Sequence, residues 1–307
     1  MCYSAQIREE WRSFCRHLGI HIPILEYVDL FWSRVDGRIL QVPKAMEAMF
    51  ADPRTDDERR VKQAIDDFNV ARTAQLEREL FELRTRLANA ERKLAAKPTR
   101  TAENDRRIAS SKIEQRLGWL GDLKRSAPTE ERDSRIYPGW YVPVIVMEDG
   151  QRVLKPMRYQ CRPAGKPAYY DEKYPGTYNA RRDNLEGFWK DLFGYRHGIM
   201  VATAFFENVQ RDGKNAVLEF KPQGMGDMLV ACLWSRWTKP GEPGLTSFAA
   251  ITDEPPAEVA AAGHDRCIIP IKPEYIDVWL NPKGNLRAMY EILDDRERPY
   301  YEHRLAA

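Results

Sequence analysis

The sequence predicts an α+β protein, with a mostly antiparallel β core, flanking helices and one inserted antiparallel helical hairpin. Three observations carry that prediction. From Thr55 to about Leu123 the chain has almost no Gly or Pro and keeps apolar residues at three- and four-residue spacing. After Arg135, short apolar and β-branched runs follow one another through turn signals, as antiparallel neighbours do. Before Thr55 the pattern is again helical. The expected division is residues 1–50 and 134–307 as one core, with residues 51–133 as an inserted, coiled-coil-like hairpin.

The elements follow in order. Residues 5–18 place Ile7, Trp11, Phe14, Cys15 and Leu18 at helical spacing, and Gly19 is placed to stop that helix. Residues 24–34 and 43–50 read as two more short helices. In the long stretch, Val61, Ile65, Phe68, Leu76, Leu80, Leu83, Leu87, Ala90 and Leu94 make a seam that is interrupted around Arg72. Pro98 breaks the helix and Thr101 is expected to cap a second one, which carries Ile108, Ile113, Leu117 and Leu120 before Gly121. The arm is only mildly basic, so a protein partner or a steric role is expected of it before a DNA clamp. Strands are predicted at 141–147 and 152–157, joined by the Glu148-Asp149-Gly150 turn, and at 199–206, 216–220, 228–234 and 247–252. Helices are predicted at 183–194, 273–281 and 284–293, and residues 162–177 form a loop rich in Pro, Gly and Tyr.

With 307 residues the chain can bury a sizeable core. A net charge of +2 rules out a global polycation, so any nucleic-acid site must be a local patch. Five cysteines without a Cys-x-x-Cys pair argue against a disulfide framework and a zinc site, and no metal or cofactor is expected. No apolar run approaches membrane length and the start is not signal-like, so a cytoplasmic protein with no membrane partner is expected. There is no dinucleotide fingerprint, phosphate-binding loop or internal repeat.

Cys2 stands directly behind Met1. Removal of Met1 would leave an α-amine of pKa about 7.7–8.0 and a thiol of about 8.5 on one residue. Such a residue can condense with an aldehyde and close a thiazolidine ring, or attack an acyl group. Glu207 ends an apolar run beside Phe205 and Phe206, where desolvation raises a carboxyl pKa toward a useful range. His264 sits in a turn with Gly263 before it and Asp265-Arg266 after it. Arg181 and Arg266 are the first candidates for phosphate contacts, with Arg158, Arg162, Lys166 and Arg182 behind them. Tyr159, Tyr169, Tyr170 and Trp140 are candidates for stacking on exposed bases.

Met-Cys at 1–2, Tyr-Asn-Ala-Arg at 178–181, Ala-Phe-Phe-Glu at 204–207 and Gly-His-Asp-Arg at 263–266 form a collinear set. Pro156 to Tyr159, Ala231 to Trp234, Ser247 to Thr252 and Val278 to Leu280 fall between or beside them in the matching order. Together they resemble the signatures of the SOS response-associated peptidase (SRAP) family. The resemblance implies a sensor of abasic sites in single-stranded DNA that traps the sugar aldehyde on its N-terminal Cys, after self-removal of Met1. By motif position it implies Cys2 as nucleophile, Asn179 as a positioning group, Glu207 as general acid/base and His264 as its partner. The resemblance does not extend to the helical arm. Where the family reads Met-Cys-Gly-Arg, this chain has Tyr3-Ser4, and the family's Asn-x-Ala-Pro-Gly turn reads Arg135-Ile136-Tyr137-Pro138-Gly139. Two other readings stay open: an N-terminal-Cys peptidase or amidohydrolase (a lyase activity is a further option), and a non-catalytic adaptor working through the hairpin.

Overall fold

A computed structural model describes residues 4–8, 10–125, 127, 130–211 and 213–306. The chain opens with a short strand β1 (Ser4–Ile7), followed by helices α1 (Trp11–His17), α2 (Ile24–Val35) and α3 (Lys44–Ala48). The hairpin is α4 (Asp56–Ala96) and α5 (Arg100–Lys124). Then come β2 (Arg135–Ile136), β3 (Tyr141–Glu148), β4 (Gln151–Tyr159), the single-turn α6 (Tyr170–Lys173) and β5 (Asn179–Arg181). Four long strands follow: β6 (His197–Arg211), β7 (Lys214–Pro222), β8 (Met228–Lys239) and β9 (Glu242–Asp253). The chain closes with α7 (Ala257–Ala261), β10 (Cys267–Ile268), α8 (Ile276–Leu280), α9 (Leu286–Asp294) and β11 (Tyr301–Leu305).

The pairings return to their start. β9 pairs with β4, β4 with β3, β3 with β6, β6 with β8 and β8 with β9, so these five strands form a closed ring. The sheet is mostly antiparallel, with β4 and β5 parallel to β9. Successive residues of a strand face opposite ways, and here both faces are apolar. Ile199, Val201, Leu229, Ala231, Leu233, Ala249 and Ile251 pack with the helices, against Tyr27, Phe31, Met46, Trp279 and Leu293. Met200, Ala202, Val230, Cys232, Phe248 and Ala250 pack with other strand residues in a second cluster. That double burial explains the near-continuous apolar runs in these strands.

β6 is the spine. Its first half lies between β3 and β8, and its second half between β1 and β7. Two buried indoles hold its start: Trp234 Nε1 donates to the His197 carbonyl at 3.1 Å and Trp279 Nε1 to that of Gly198 at 3.0 Å. A side chain at Gly198 would meet Val144 and the Ile145 carbonyl at 3.0 and 3.3 Å, so β6 passes β3 closely there and a larger residue would press on it. Midway, the register slips: Gln6 faces Ala204 but Ile7 faces Ala202, leaving Thr203 as a bulge. Beyond it, Phe205 and Val209 lie in the same cluster as Met200 and Ala202.

Several expectations need correction. The predicted helix over 5–18 begins only at Trp11, because Ser4–Ile7 gains ladders with both β2 and β6. The apolar seam is interrupted around Arg72 as expected, with Val61, Ala64 and Ile65 in the core cluster and Leu76 and Leu80 in a separate one, although α4 itself runs on unbroken. Thr99, not Thr101, caps α5, its hydroxyl accepting from Ala102 N at 3.3 Å, and that helix runs past Gly121 to Lys124. Residues 183–194 form turns after a short 3-10 segment, Arg182–Asn184. There the Asn184 side chain takes the Phe188 N–H at 3.1 Å, a bond that a helix would give to the backbone. β5 and β11 were not anticipated, and β6 runs five residues past its predicted end.

The hairpin is rooted in the core. Thr55 and Glu58 form a capping box at the start of α4, and Glu58 also meets Arg12 of α1 at 3.2 Å. Val61, Ala64 and Ile65 belong to the helix-side cluster, and Arg34 of α2 lies 3.9 Å over the Phe68 ring. Leu76, Leu80 and Leu120 form a separate seam between α4 and α5. A short linker replacing only the tip, residues 84–110, keeps that seam and is therefore expected to leave the melting temperature of the remaining fold within a few degrees. Replacing 55–123 strips Val61 and Ile65 from the core, and thermal melts should show a loss of several kcal/mol, since each large buried side chain removed costs about 2–5 kcal/mol.

His197 opens β6 buried between Trp279 and Phe193, with ring centroids 4.1 and 5.5 Å away, and accepts from the Gly194 N–H at 2.8 Å. Burial pushes its pKa down to about 3. The unfolded chain therefore protonates first as the pH falls. The stability this residue contributes is complete above about pH 6.5 and drains, at about 1.4 kcal/mol per unit, as the pH drops toward 3. Comparing denaturation of wild type and His197→Gln from pH 7 to 4 should show a flatter pH dependence in the variant.

Candidate active site

Glu207 lies within β6, not at its end, since the strand continues to Arg211. The Thr203 bulge puts it on the side of Phe205 and Val209, where it is fully buried. Its Oε2 is 3.1 Å from His264 Nε2. His264 is held by a tight turn after α7. Gly263 takes φ +97°, a conformation that L side chains rarely adopt, and the His264 N–H donates to the Val259 carbonyl at 3.3 Å.

The other ring nitrogen meets one residue twice. His264 Nδ1 is 2.9 Å from the Arg266 carbonyl and 3.3 Å from the Arg266 N–H. With a proton on Nδ1, the ring donates to that carbonyl and Nε2 accepts from a protonated Glu207. With the proton on Nε2, the ring donates to the carboxylate and Nδ1 accepts from the N–H. The turn satisfies both tautomers, so a proton can pass across the contact without the ring losing a partner. Burial pushes the His264 pKa below its ordinary value, opposed by the hydrogen bond to the Arg266 backbone.

Cys267 follows in β10, and sequence reasoning gave it no part. It is buried, and burial pushes its pKa up to about 12, with the nearby Glu207 carboxylate adding to the rise. It stays a thiol at neutral pH and is no competing nucleophile. Its position directly after the Gly-His-Asp-Arg string was the available signal.

Asn179 opens β5, buried, in parallel register with Ala250. β5 and β10 both flank β9, with Thr252 facing Arg181 on one side and Ile268 on the other. This brings the Asn179 strand alongside the His264 turn, and the charges beyond it interact. Arg181 is forked onto Asp183 at 2.5 and 3.1 Å, and that bond, reinforced by Asp265, raises its pKa. Among the described residues Arg266 has no carboxylate within ion-pair distance.

Three further candidates are engaged within the protein. Arg158 and Arg162 converge on Asp171 at 2.8 and 2.5 Å, and Arg162 also lies 4.6 Å over the Trp237 ring. Tyr159 is fully buried, its ring 5.2 Å from Phe248 and 5.7 Å from Tyr178. In this conformation the two guanidinium groups are engaged with a carboxylate and the ring is closed to a base. Cys2 lies outside the described residues. Among the described residues no cluster of His, Cys, Asp and Glu could hold a metal ion, and no helix is long and apolar enough to cross a membrane.

The model of the SOS response associated peptidase (SRAP) family matches residues 98–305, well over half of the chain. The protein belongs to that family. Solved structures similar to it include a protein from Bordetella bronchiseptica (18% identity, TM-score 0.47, covering 57% of this chain and 87% of that one). Another, from Bacteroides thetaiotaomicron, is 14% identical with a TM-score of 0.48, over 57% of this chain and 78% of that one. A phage-related protein, also from B. bronchiseptica, is 19% identical with a TM-score of 0.43, over 56% and 81%. The family assignment rests on the family match alone. No curated protein matches the chain.

Replacing Glu207 by Gln removes the ionisable partner of the imidazole while keeping its shape. Glu207→Gln is expected to fold and to protonate His264 at a lower pH than wild type. An NMR titration of the His264 ring would show this, and an unchanged midpoint would mean that the two groups do not share a proton.

Proposed function

We propose that this protein traps abasic sites in single-stranded DNA on its N-terminal cysteine. The observation that carries the reading is the 3.1 Å contact between the buried Glu207 carboxylate and His264. A buried acid/base pair with both tautomers satisfied suits a reaction made of successive proton transfers. The chain ties the nucleophile to the same pair of strands. Residues 2 and 4 can be no more than about 7 Å apart at their Cα atoms, and Ser4 pairs with Phe206, the neighbour of Glu207.

The chemistry runs as follows. Hydrolysis of the Met1–Cys2 bond frees the α-amine. The amine adds to the C1′ aldehyde of the ring-opened sugar to give a carbinolamine, which takes a proton on its hydroxyl and leaves as water, giving an imine. The Cys2 thiol then adds to the imine carbon, its proton ending on nitrogen, and the thiazolidine closes. From the free amine, the capture releases one water. Glu207 and His264 supply and recover the protons, Asn179 orients the reacting residue, and Arg181 and Arg266 face the phosphates. Arg158, Arg162 and Tyr159 support the site through their packing. For the arm beyond the core we propose a protein partner.

The test is a denaturing gel of Met1-processed protein with a single-stranded abasic oligonucleotide. Wild type should give a shifted band. Cys2→Ala should give none while binding undamaged strand normally, and Cys2→Ser should give only a product that borohydride fixes. Glu207→Gln should slow capture by about 10²–10⁴-fold, the usual share of a general acid/base. Equal bands from wild type and Cys2→Ala would sink the proposal. Hydrolysis of a peptide substrate without any band would favour an N-terminal-Cys peptidase.

A further inference from the structure

The charges of the hairpin are divided along its length. Residues 84–112, the end farthest from the core, carry nine Lys and Arg against three Asp and Glu. Residues 55–83 and 113–123 carry six against ten. One face of α4 shows the same division. Leu76 and Leu80 turn toward Leu120 of α5, and Val61, Ala64 and Ile65 continue the buried side into the core. On the opposite side Asp67, Val70, Glu77, Phe81, Arg84 and Arg92 stand at spacings of three, four, seven and eight, which is one helical face. Val70 is 71% exposed there and Phe81 74%. The acids of this face lie toward the core, the bases toward the tip, and Phe81 between them. The ion pairs within the arm engage other charges, such as Arg116 with Glu79 and Arg86 with Asp105. Among the described residues none joins Asp67, Glu77, Arg84 or Arg92 to an opposite charge.

We infer that this face is the contact between two copies of the chain, whose arms lie side by side and antiparallel with Phe81 at the two-fold axis. A two-fold axis sets the same patch against itself, so the acidic half of each copy meets the basic half of the other. With Phe81 facing its counterpart, Glu77 of one copy comes level with Thr85, next to Arg84, in the other. Asp67 comes within one turn of Arg92, and Val70 lies against the aliphatic stem of that Arg. A parallel pairing would place acid on acid and base on base. One exposed Phe means little by itself, but here it is the centre of a face whose charges are complementary to their own reversal. A polyanion would use the basic tip alone and leave Val70, Phe81 and the acidic half without a role. The inference names the protein partner proposed for the arm and rests on that reading.

Sedimentation of the full chain over a range of concentrations reads the association. Wild type should form dimers that dissociate on dilution. Phe81→Asp should stay folded, as circular dichroism would show, and weaken association at least about tenfold, the loss expected of a central aromatic anchor. Glu77→Arg and Arg84→Glu should each weaken it about fivefold at low salt, since like charges then face each other twice. An equimolar mixture of these two variants restores both pairs and should associate as wild type does. A wild type that stays monomeric, or a mixture that associates no better than its components, would overturn the dimer. So would a monomer whose Arg84→Glu and Arg92→Glu forms lose affinity for labelled duplex DNA, which would make the tip a nucleic-acid element. In the abasic-capture gel Phe81→Asp should match wild type. Dimers without capture would overturn the trap and leave the dimer standing, and capture by a monomeric wild type would do the reverse.

Discussion

The bulge at Thr203 is the constraint on which the site depends. In a regular strand the odd-numbered residues of β6 would stay on the face of Ile199 and Val201, against the helices, and Glu207 would be aimed there. One extra residue reverses the alternation, so Phe205, Glu207 and Val209 join the face of Met200 and Ala202. The strand can carry this irregularity because its two halves have different partners, β3 and β8 before the bulge and β1 and β7 after it. The indoles of Trp234 and Trp279 and the tight crossing at Gly198 fix the first half, so the slip is forced into the second.

Burying the Glu207 carboxylate costs free energy unless it is paired. Its contact with His264 offsets that cost. The turn from Gly263 to Arg266 adds the feature that separates a shuttle from a fixed ion pair, a backbone that offers both a donor and an acceptor to Nδ1. Cys267, one residue on, is kept inert by the burial that tunes its neighbours.

Much of the fold was legible in the residues themselves. The strands at 141–147, 228–234 and 247–252 and the two helices of the arm announce themselves by apolar runs and spacing, because burial on both faces or along a seam leaves a strong pattern. The segment 4–7 was misread because its apolar spacing fits a helix, and only long-range pairing to Phe205 and Ile136 makes it a strand. Residues 183–194 failed for a local reason, the Asn184 side chain taking a backbone bond. Glu207 and His264 were picked out by motif, but nothing in the sequence marks Thr203 as the bulge that aims one of them. A single chain of letters does not show that Asp171 stands beside Arg158 and Arg162, or Phe248 beside Tyr159.

The arm has a mechanical side. α4 is 41 residues long and α5 25, so the part of α4 not covered by α5 lies against the core and the paired part projects about 37 Å beyond it. Lys44 of α3 holds the returning end through the Asp122 carbonyl at 2.8 Å. From there the chain runs through the ion pairs of Arg125 to β2, the strand bonded to β1 and so to the first residues of the protein. A stiff rod of that reach works as a lever: a deflection of about 5° at its root is a displacement of about 3 Å at its tip. Whatever grips the tip can therefore tug, over a small angle and with multiplied force, on the two short strands β2 and β1 at its root.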